Sequence, residues 1–222
     1  MKEHLPLTGN KTHYTVAVEG NIGSGKSTLL QHFGNLPRCE VLEEPLDRWT
    51  NVNGHNALSL LYENPQRWSF SFNMYAQLTR VQMHTKPHTH PVKIMERSLY
   101  STRYCFVQND YISKTINGFE FGVLDQWFQY LVNNNKADLD LIVYLRADPE
   151  VCLDRVRKRS RAEEASVPLC FLQALHSLHD DWLLQKKCPL PAPVIVLDAN
   201  YDLEKMKETY DSMRQDILFG CR

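Results

Sequence analysis

The sequence predicts an α/β fold in which a five-stranded parallel sheet is flanked by helices. Short aliphatic and β-branched runs recur along the 222 residues. They are nearly continuous in apolar character, which is typical of strands buried on both faces of a parallel sheet. Longer stretches of helical character separate these runs, and each stretch is too long to be the turn of a β-hairpin. A chain of this length fits one such domain. We expect residues 1–222 to form it, with 1–13 as a flexible N-terminus.

The expected elements alternate along the chain. Strands are predicted at 15–19, 40–42, 92–95, 139–145 and 194–198, and helices at 27–33, 56–62, 65–84, 101–109, 122–133, 150–159, 168–184 and 203–217. Residues 85–91 are expected to form a loop, because Pro87 and Pro91 break helices and disfavour helical conformation in the residue before them. The histidines at 84, 88 and 90 lack a carboxylate or cysteine at ligand spacing, so loop polarity explains them better than a metal site.

A glycine-rich run directly after the first expected strand matches the phosphate-binding loop pattern GxxxxGK[ST]. Its glycines let backbone N–H groups turn inward around phosphate oxygens, where a Cβ would clash or force a forbidden φ. Lys26 adds a mobile positive charge, Ser27 offers a hydroxyl to Mg²⁺, and the following helix points its positive dipole end at the same anion. The predicted triphosphate-binding residues are Gly20, Asn21, Ile22, Gly23, Ser24, Gly25, Lys26, Ser27 and Thr28.

Composition narrows the classes of partner and compartment. The formal net charge is −1, so we expect no polybasic surface for nucleic acid or anionic lipid, and a small-molecule partner instead. The six cysteines include no CxxC pair, which excludes the ligand spacing of a zinc ribbon. No apolar run is long enough to cross a membrane. The first residues lack a signal or organellar presequence, which predicts a cytoplasmic or nuclear protein, or a mitochondrial one if a presequence had been removed.

Charged residues follow the second and third expected strands. They are Glu43 and Glu44 before Pro45, and Glu96 with Arg97. In open α/β sheets ligands bind outside the carboxyl ends of the strands. A carboxylate there can hold hydrated Mg²⁺ or accept a proton from an attacking hydroxyl, the two acidic roles in phosphoryl transfer. On spacing alone, Glu44 is equally well explained as a solvated turn residue beside proline.

A basic cluster lies near the middle of the second half of the chain, at Arg155, Arg157, Lys158, Arg159 and Arg161. Arg155 and Arg159 are four residues apart and share a helix face. Such a run can be an exposed helix surface. Together with a triphosphate-binding loop, it is better explained as a lid whose guanidinium groups neutralise charge on a transferring phosphoryl group.

Several blocks together resemble the deoxyribonucleoside kinase family over nearly the whole chain. They are GNIGSGKST, LEEPLDRW, MERSLYSTRY and the stretch beginning RVRKRSRAEEASVPL. The segment NVNGHNALSLLYENPQRW is most similar to the branch of mitochondrial thymidine kinases and insect multisubstrate kinases. The resemblance implies a P-loop kinase fold with an arginine-rich lid and a homodimer formed through helix packing. It also implies transfer of the γ-phosphate of ATP, with Mg²⁺, to the 5′-hydroxyl of a deoxynucleoside.

The same resemblance implies roles for residues around the sugar and the phosphates. Glu44 corresponds to the base for the 5′-hydroxyl and Arg97 to its partner at that end of the sugar. Tyr62 and Glu164 match the positions that hold the 3′-hydroxyl, a contact that would penalise sugars lacking it. The remaining matches are Glu96, which joins Ser27 in organising Mg²⁺, and the lid arginines Arg155, Arg159 and Arg161, which act with Lys26 on the phosphates.

The base is expected to lie among aromatic rings, for which Trp49, Phe72 and Phe106 match the family positions. Asn73 stands where the family has a glutamine that reads the base. Because its side chain is one methylene shorter, a bidentate contact would need a closer backbone or a water bridge, or would be lost.

Two further residues share a helix face with Asn73, namely Ala76 and Arg80. This pair resembles the deoxycytidine kinase branch, in which the arginine is paired with an aspartate. The matching position here is Thr102, so we expect Arg80 to seek a carbonyl oxygen of the substrate or to turn outward.

The sequence therefore predicts a broad deoxynucleoside kinase that favours pyrimidines, thymidine and deoxycytidine. One alternative is a nucleoside monophosphate kinase of the thymidylate type, which would need another cation where Glu44 stands. Another is a nucleotide-binding regulator without phosphoryl transfer, which would leave Tyr62 and Glu164 without a role.

Overall fold

The computed structural model describes residues 11–164 and 167–219. Within them the predicted five-stranded parallel sheet is confirmed, with strands at Tyr14–Gly20 (β1), Cys39–Leu42 (β2), Val92–Glu96 (β3), Leu141–Arg146 (β4) and Val194–Asp198 (β5). The strand order is β2-β3-β1-β4-β5, and every pairing is parallel. All carboxyl ends therefore lie at one edge of the sheet, where a ligand is expected. The central strand β1 is fully buried at Val16, Ala17 and Val18.

Helices cover the sheet and extend beyond its carboxyl edge. They are Lys26–Gly34 (α1), Leu46–Thr50 (α2), Ala57–Glu63 (α3), Pro65–Thr85 (α4), Leu99–Ser101 (α5), Gln108–Ile112 (α6), Gly118–Asn134 (α7), Pro149–Arg159 (α8), Leu169–Leu183 (α9), Leu203–Ser212 (α10) and Arg214–Ile217 (α11). The long helix α4 starts where the sequence favours it. Asn64 accepts a hydrogen bond from the Arg67 N–H, and Pro65 takes the first helical position, where its missing N–H costs nothing.

The structure differs from the expected helices in four places. The helix expected at 122–133 begins four residues earlier, at Gly118, because Asn117 and Glu120 form a capping box there. The helix expected at 101–109 extends from 99 to 112, because α5 continues through a π-helical segment, Thr102–Val107, into α6. The helix expected at 203–217 is interrupted at Met213. The five-residue α2 was not predicted, since a single turn carries too little periodicity to detect. The π-helical segment is notable because such segments occur frequently at functional sites.

The predicted flexible N-terminus falls mostly outside the described residues, which begin at residue 11; residues 11–13 precede β1 without regular structure. Among the helices that the structure describes, none combines the length and apolar character needed to cross a bilayer.

Two buried histidines make stability depend on pH. His84 accepts a hydrogen bond from the Leu99 N–H through Nε2, and His179 is fully buried. Burial lowers the pKa of each side chain to about 3. The unfolded chain binds these protons near pH 6.5 and the folded chain does not, so the free energy of unfolding should fall as pH drops below 6.5. We expect a loss of about 2 kcal/mol per histidine by pH 5.

Denaturant unfolding at several pH values checks this expectation. His179→Gln should reduce the slope of unfolding free energy against pH between 6.5 and 5, whereas His55→Gln, at an exposed position, should leave it unchanged. Equal slopes in the two variants would contradict the prediction.

Candidate active site

The glycine-rich loop connects the end of β1 to the start of α1. Gly20, Gly23 and Gly25 all have positive φ angles, of 144°, 81° and 97°, a region that L-residues avoid. A Cβ on Gly23 would lie 2.5 Å from the Cys152 carbonyl oxygen. The loop is therefore wrapped tightly enough that side chains are excluded at its turns, and its backbone leads directly into the N-terminus of α1, where N–H groups lack partners within the helix.

Lys26 and Ser27 connect the loop to the end of β3. Lys26 is buried, and its Nζ donates to the Asn21 carbonyl oxygen at 2.8 Å and lies 3.9 Å from Glu96 Oε1. Ser27 Oγ donates to Glu96 Oε2 at 3.0 Å. Burial lowers the pKa of Lys26 to about 8, with Arg97 adding to the effect against the opposing charges of Glu96 and Glu44. Ser27 and Glu96 supply the hydroxyl and carboxylate oxygens that suit Mg²⁺.

Glu44 is held between two buried guanidinium groups. Its Oε1 lies 2.5 Å from Arg80 Nη2 and 3.2 Å from Arg97 Nε. Burial alone would raise the pKa of Glu44, but Arg80 and Arg97 outweigh it and hold the pKa at about 2. Glu44 is thus an ionised carboxylate at neutral pH and not a solvated turn residue.

Arg80 does not turn outward, which was one of the two outcomes expected from the sequence. Arg80 is buried on α4, and its Nη1 also donates to the Glu96 carbonyl oxygen at 3.3 Å. The expectation overlooked Glu44, which belongs to another strand end and becomes the counter-charge only when the sheet and α4 pack together. A buried guanidinium selects the nearest carboxylate because an unpaired charge there is costly.

Arg97 follows β3 in a left-handed backbone conformation, with φ of 61°. This conformation is strained for a side chain of its size, and such strain concentrates at functional sites. Its guanidinium carbon lies 4.8 Å from the centre of the Phe106 ring, and its Nη1 is buried without a hydrogen-bond partner among the described residues. Arg97 therefore keeps one donor for a ligand.

Glu164 joins the residues predicted to form the lid to those predicted to bind the sugar. Arg159 contacts Glu164 Oε2, and Arg161 Nη1 donates to Glu164 Oε1 at 3.0 Å. Tyr62 is close enough that burial and then the charge of Glu164 raise the pKa of its hydroxyl. Arg155 is placed differently, because its guanidinium donates to the Ala199 and Tyr201 carbonyl oxygens at 2.8 and 2.7 Å. It fixes the loop after β5 to the lid helix α8.

The aromatic residues predicted to hold the base line one cavity. Trp49 and Phe72 make an edge contact with ring centres 5.4 Å apart. Trp49 Nε1 donates to Thr79 Oγ1 at 3.0 Å, which fixes the indole. Phe106 comes from the π-helical segment on the other side. The flat rings of these residues suit a nucleobase.

The predicted base-reading residues line the same cavity. Asn73, Ala76 and Arg80 come from α4, and Thr102 comes from the π-helical segment. The Thr102 hydroxyl is buried without a partner among the described residues. Asn73 Nδ2 donates to the Ser69 carbonyl oxygen and to Asp110 Oδ2, each at 2.9 Å.

Two cavities meet at the residues predicted for phosphoryl transfer. The first has a volume of about 480 Å³ and is lined by the aromatic residues and those predicted to contact the base. The second, of about 460 Å³, lies over the glycine-rich loop and Arg155. Both are lined by Lys26, Glu44, Glu96, Arg159 and Arg161. A nucleoside in one cavity and a triphosphate in the other would therefore face each other across Glu44.

Sequence reasoning did not single out Asp110, Ser69 or Thr115, which also line the first cavity. Asp110 follows Phe106 by four positions and Thr102 by eight, the spacing of one helical face. That spacing was the available signal, but the helix was expected to end one residue before Asp110.

The fold and the site together define a P-loop phosphotransferase: a parallel sheet, a glycine cradle at the end of its central strand, and a carboxylate between two ligand cavities. A family model described as deoxynucleoside kinase matches residues 16–218. The chain belongs to the deoxynucleoside kinase family.

Relatives of known activity are similar over most of their length. The chain is 44% identical to human mitochondrial thymidine kinase 2 over 204 residues, which cover 91% of this chain and 77% of the relative. It is 36% identical to human deoxycytidine kinase, covering 91% and 88%. It is 35% identical to chicken deoxycytidine kinase 2, covering 88% and 86%.

Proposed function

We propose that this protein transfers the γ-phosphate of ATP to the 5′-hydroxyl of deoxynucleosides, with pyrimidines favoured. The observation that carries the proposal is the meeting of the two cavities at Glu44, between Lys26 on the phosphate side and Arg97 on the nucleoside side. The relatives named thymidine kinase and deoxycytidine kinase support a pyrimidine substrate.

The chain's own groups account for binding, orientation and proton transfer. The loop N–H groups and Lys26 hold the triphosphate, and the lid residues Arg159 and Arg161 neutralise charge on the transferring group. Glu44 accepts the proton of the 5′-hydroxyl while the unpartnered Nη1 of Arg97 donates to the same end of the sugar. Catalysis is then mainly positioning and electrostatic stabilisation.

Ser27 and Glu96 would hold Mg²⁺ on the triphosphate. Their hydroxyl and carboxylate oxygens are hard ligands at the mouth of the glycine-rich loop. Bound there, the ion would supply positive charge that offsets the negative charge of the phosphates. Among the described residues no group of three or more His, Cys, Asp or Glu side chains is placed to hold a metal ion.

Tyr62 and Glu164 are proposed to bind the 3′-hydroxyl. In support, both line the first cavity, where Glu164 is buried, and a site built to hydrogen-bond a substrate hydroxyl discriminates against a sugar that lacks it.

We also propose that the protein forms a homodimer, and we propose a cellular compartment. Phe119 and Tyr130 of α7 are exposed by 81% and 56%, as expected for a helix that packs against a second copy. One relative is named mitochondrial, which supports a mitochondrial location for this protein.

Labelled ATP distinguishes the proposed function from the alternatives. Thymidine, deoxycytidine, deoxyadenosine and deoxyguanosine should each be supplied separately, alongside thymidine monophosphate as acceptor. Transfer to a nucleoside supports the proposal, transfer only to the monophosphate identifies a thymidylate-type kinase, and no acceptor-dependent transfer identifies a regulator.

Arg80 is expected to set the basicity of Glu44. In Arg80→Met, loss of the nearer guanidinium raises the pKa of Glu44 toward its ordinary value. The acid limb of kcat against pH should therefore move to higher pH, with activity at pH 7.5 retained within about 10-fold. The measurement is the pH–rate profile with saturating substrates.

Arg67→Met is the matched control. Arg67 is exposed and its guanidinium lies over Trp68, so this substitution removes the same charge from the same helix without changing the profile. An acid limb that stays in place in Arg80→Met would refute the assignment.

A further inference from the structure

The orientation of the Asn73 amide is fixed by its partners. Both amide hydrogens are used, one by the Ser69 carbonyl oxygen and one by Asp110 Oδ2. The reverse orientation would place the amide oxygen against two other acceptors, which is repulsive. Asn73 therefore offers only Oδ1, an acceptor, to the cavity.

Asp110 is the neighbouring wall of the same cavity. One of its oxygens accepts from Asn73, and among the described residues it forms no ion pair. As a carboxylate it offers a second acceptor beside Asn73 Oδ1. The two residues come from α4 and α6, so their juxtaposition depends on the packing of these helices.

We propose that Asp110 determines base specificity by forming, with Asn73 Oδ1, a pair of acceptors that selects an exocyclic amino group, deoxycytidine being preferred to thymidine. The proposal rests on the proposed function. Cytosine carries an amino donor at position 4, where thymine carries a carbonyl acceptor. A carbonyl facing the acceptor pair would leave polar groups unsatisfied in a buried site, which discriminates by about 10- to 100-fold.

Protonation of Asp110 should weaken this selection. Burial raises the pKa of Asp110 to about 6. Hydrogen bonds from neutral side chains partly oppose this rise in the pKa of Asp110. They come from Ser69 and Asn73 of α4 and from Asn109 of α6. Thr102 and Phe106 of the π-helical segment also line the cavity, as does Cys170 of α9.

The charged groups of the cavity pair with one another. Arg80 and Arg97 hold Glu44, Arg159 and Arg161 hold Glu164, and Lys26 lies 3.9 Å from Glu96. Below pH 6 the Asp110 carboxyl gains an O–H donor, which can serve a thymine carbonyl.

The experiment measures kcat/KM and Kd for deoxycytidine and thymidine between pH 5.5 and 8. We expect the deoxycytidine-to-thymidine ratio in the parent protein to fall at least about 5-fold as pH decreases through 6, because about three quarters of Asp110 is protonated at pH 5.5. A common effect on both substrates cancels in the ratio, so titration elsewhere in the site does not mimic the result.

Asp110→Asn is the decisive variant. Its carbonyl oxygen can keep the contact with Asn73 and turn an N–H donor to the base, so the ratio should fall about 10- to 100-fold and lose its dependence on pH. Asp138→Asn, at an exposed position between α7 and β4, should leave the ratio unchanged. Thermal unfolding verifies that both variants fold. If Asp110→Asn does not fold, the pH dependence of the deoxycytidine-to-thymidine ratio in the parent protein remains as the test.

The outcomes separate this inference from the proposed function. A parent ratio that is independent of pH, or one unchanged in folded Asp110→Asn, would overturn the role of Asp110 while transfer to nucleosides continued. If no nucleoside were phosphorylated, the proposed function would fail, and the Kd ratio would still test the selectivity of Asp110.

Discussion

Glu44→Gln is expected to lower kcat by about 10²- to 10⁴-fold while leaving the affinity for ATP close to that of the parent protein. The amide cannot accept the proton of the 5′-hydroxyl. The glycine-rich loop and Lys26, which bind the triphosphate, remain in place. Single-turnover transfer and ATP binding, measured separately, distinguish the two effects.

Folding must be verified for this variant, because Glu44 is the shared counter-charge of Arg80 and Arg97. Removing one member of a buried ion cluster costs about 3–5 kcal/mol. Glu63→Gln is the control, since Glu63 is exposed on α3 and bonds only to Ser59. A folded Glu44→Gln enzyme that retained most of its rate would remove Glu44 from the role of base.

Gly23→Ala is expected to raise the KM for ATP at least about 100-fold. The new Cβ would lie 2.5 Å from a backbone oxygen of α8, and φ of 81° is unfavourable for alanine. Because the new Cβ would meet a backbone atom and not the end of a flexible side chain, the glycine-rich loop itself must shift. A displacement near 1 Å of groups that position the phosphates costs about 100-fold.

Gly122→Ala is the matched control for this substitution. Gly122 lies within α7, and a Cβ there meets no heavy atom within 4 Å. Alanine at that position should stabilise the protein by about 0.5–1 kcal/mol without affecting the KM. Unfolding by denaturant and ATP titration of both variants provide the comparison, and an unaltered KM in Gly23→Ala would show that the loop tolerates a Cβ.

Much of the fold could be predicted because the sequence patterns that specify its strands and long helices are local. The central strand and glycine-rich loop are contiguous in sequence, and the predicted strand at 194–198 coincides with the observed Val194–Asp198. Short or irregular elements could not be predicted from the sequence. The π-helical segment Thr102–Val107 is a local change of hydrogen-bond pattern within a longer helix, and it contacts α4, α7 and α9, two of which are distant in the sequence.

The sequence by itself determined the class of chemistry, because the phosphate-binding loop is a local motif whose glycines determine its backbone geometry. It also supplied the carboxylates that follow the strands. Only the tertiary structure decided which charges meet. Arg80 and Glu44 are 36 positions apart, and Asn73 and Asp110 are 37 apart. Pairing over such separations depends on how whole helices pack onto the sheet, since a buried charge or amide takes the partner that packing brings within hydrogen-bond distance.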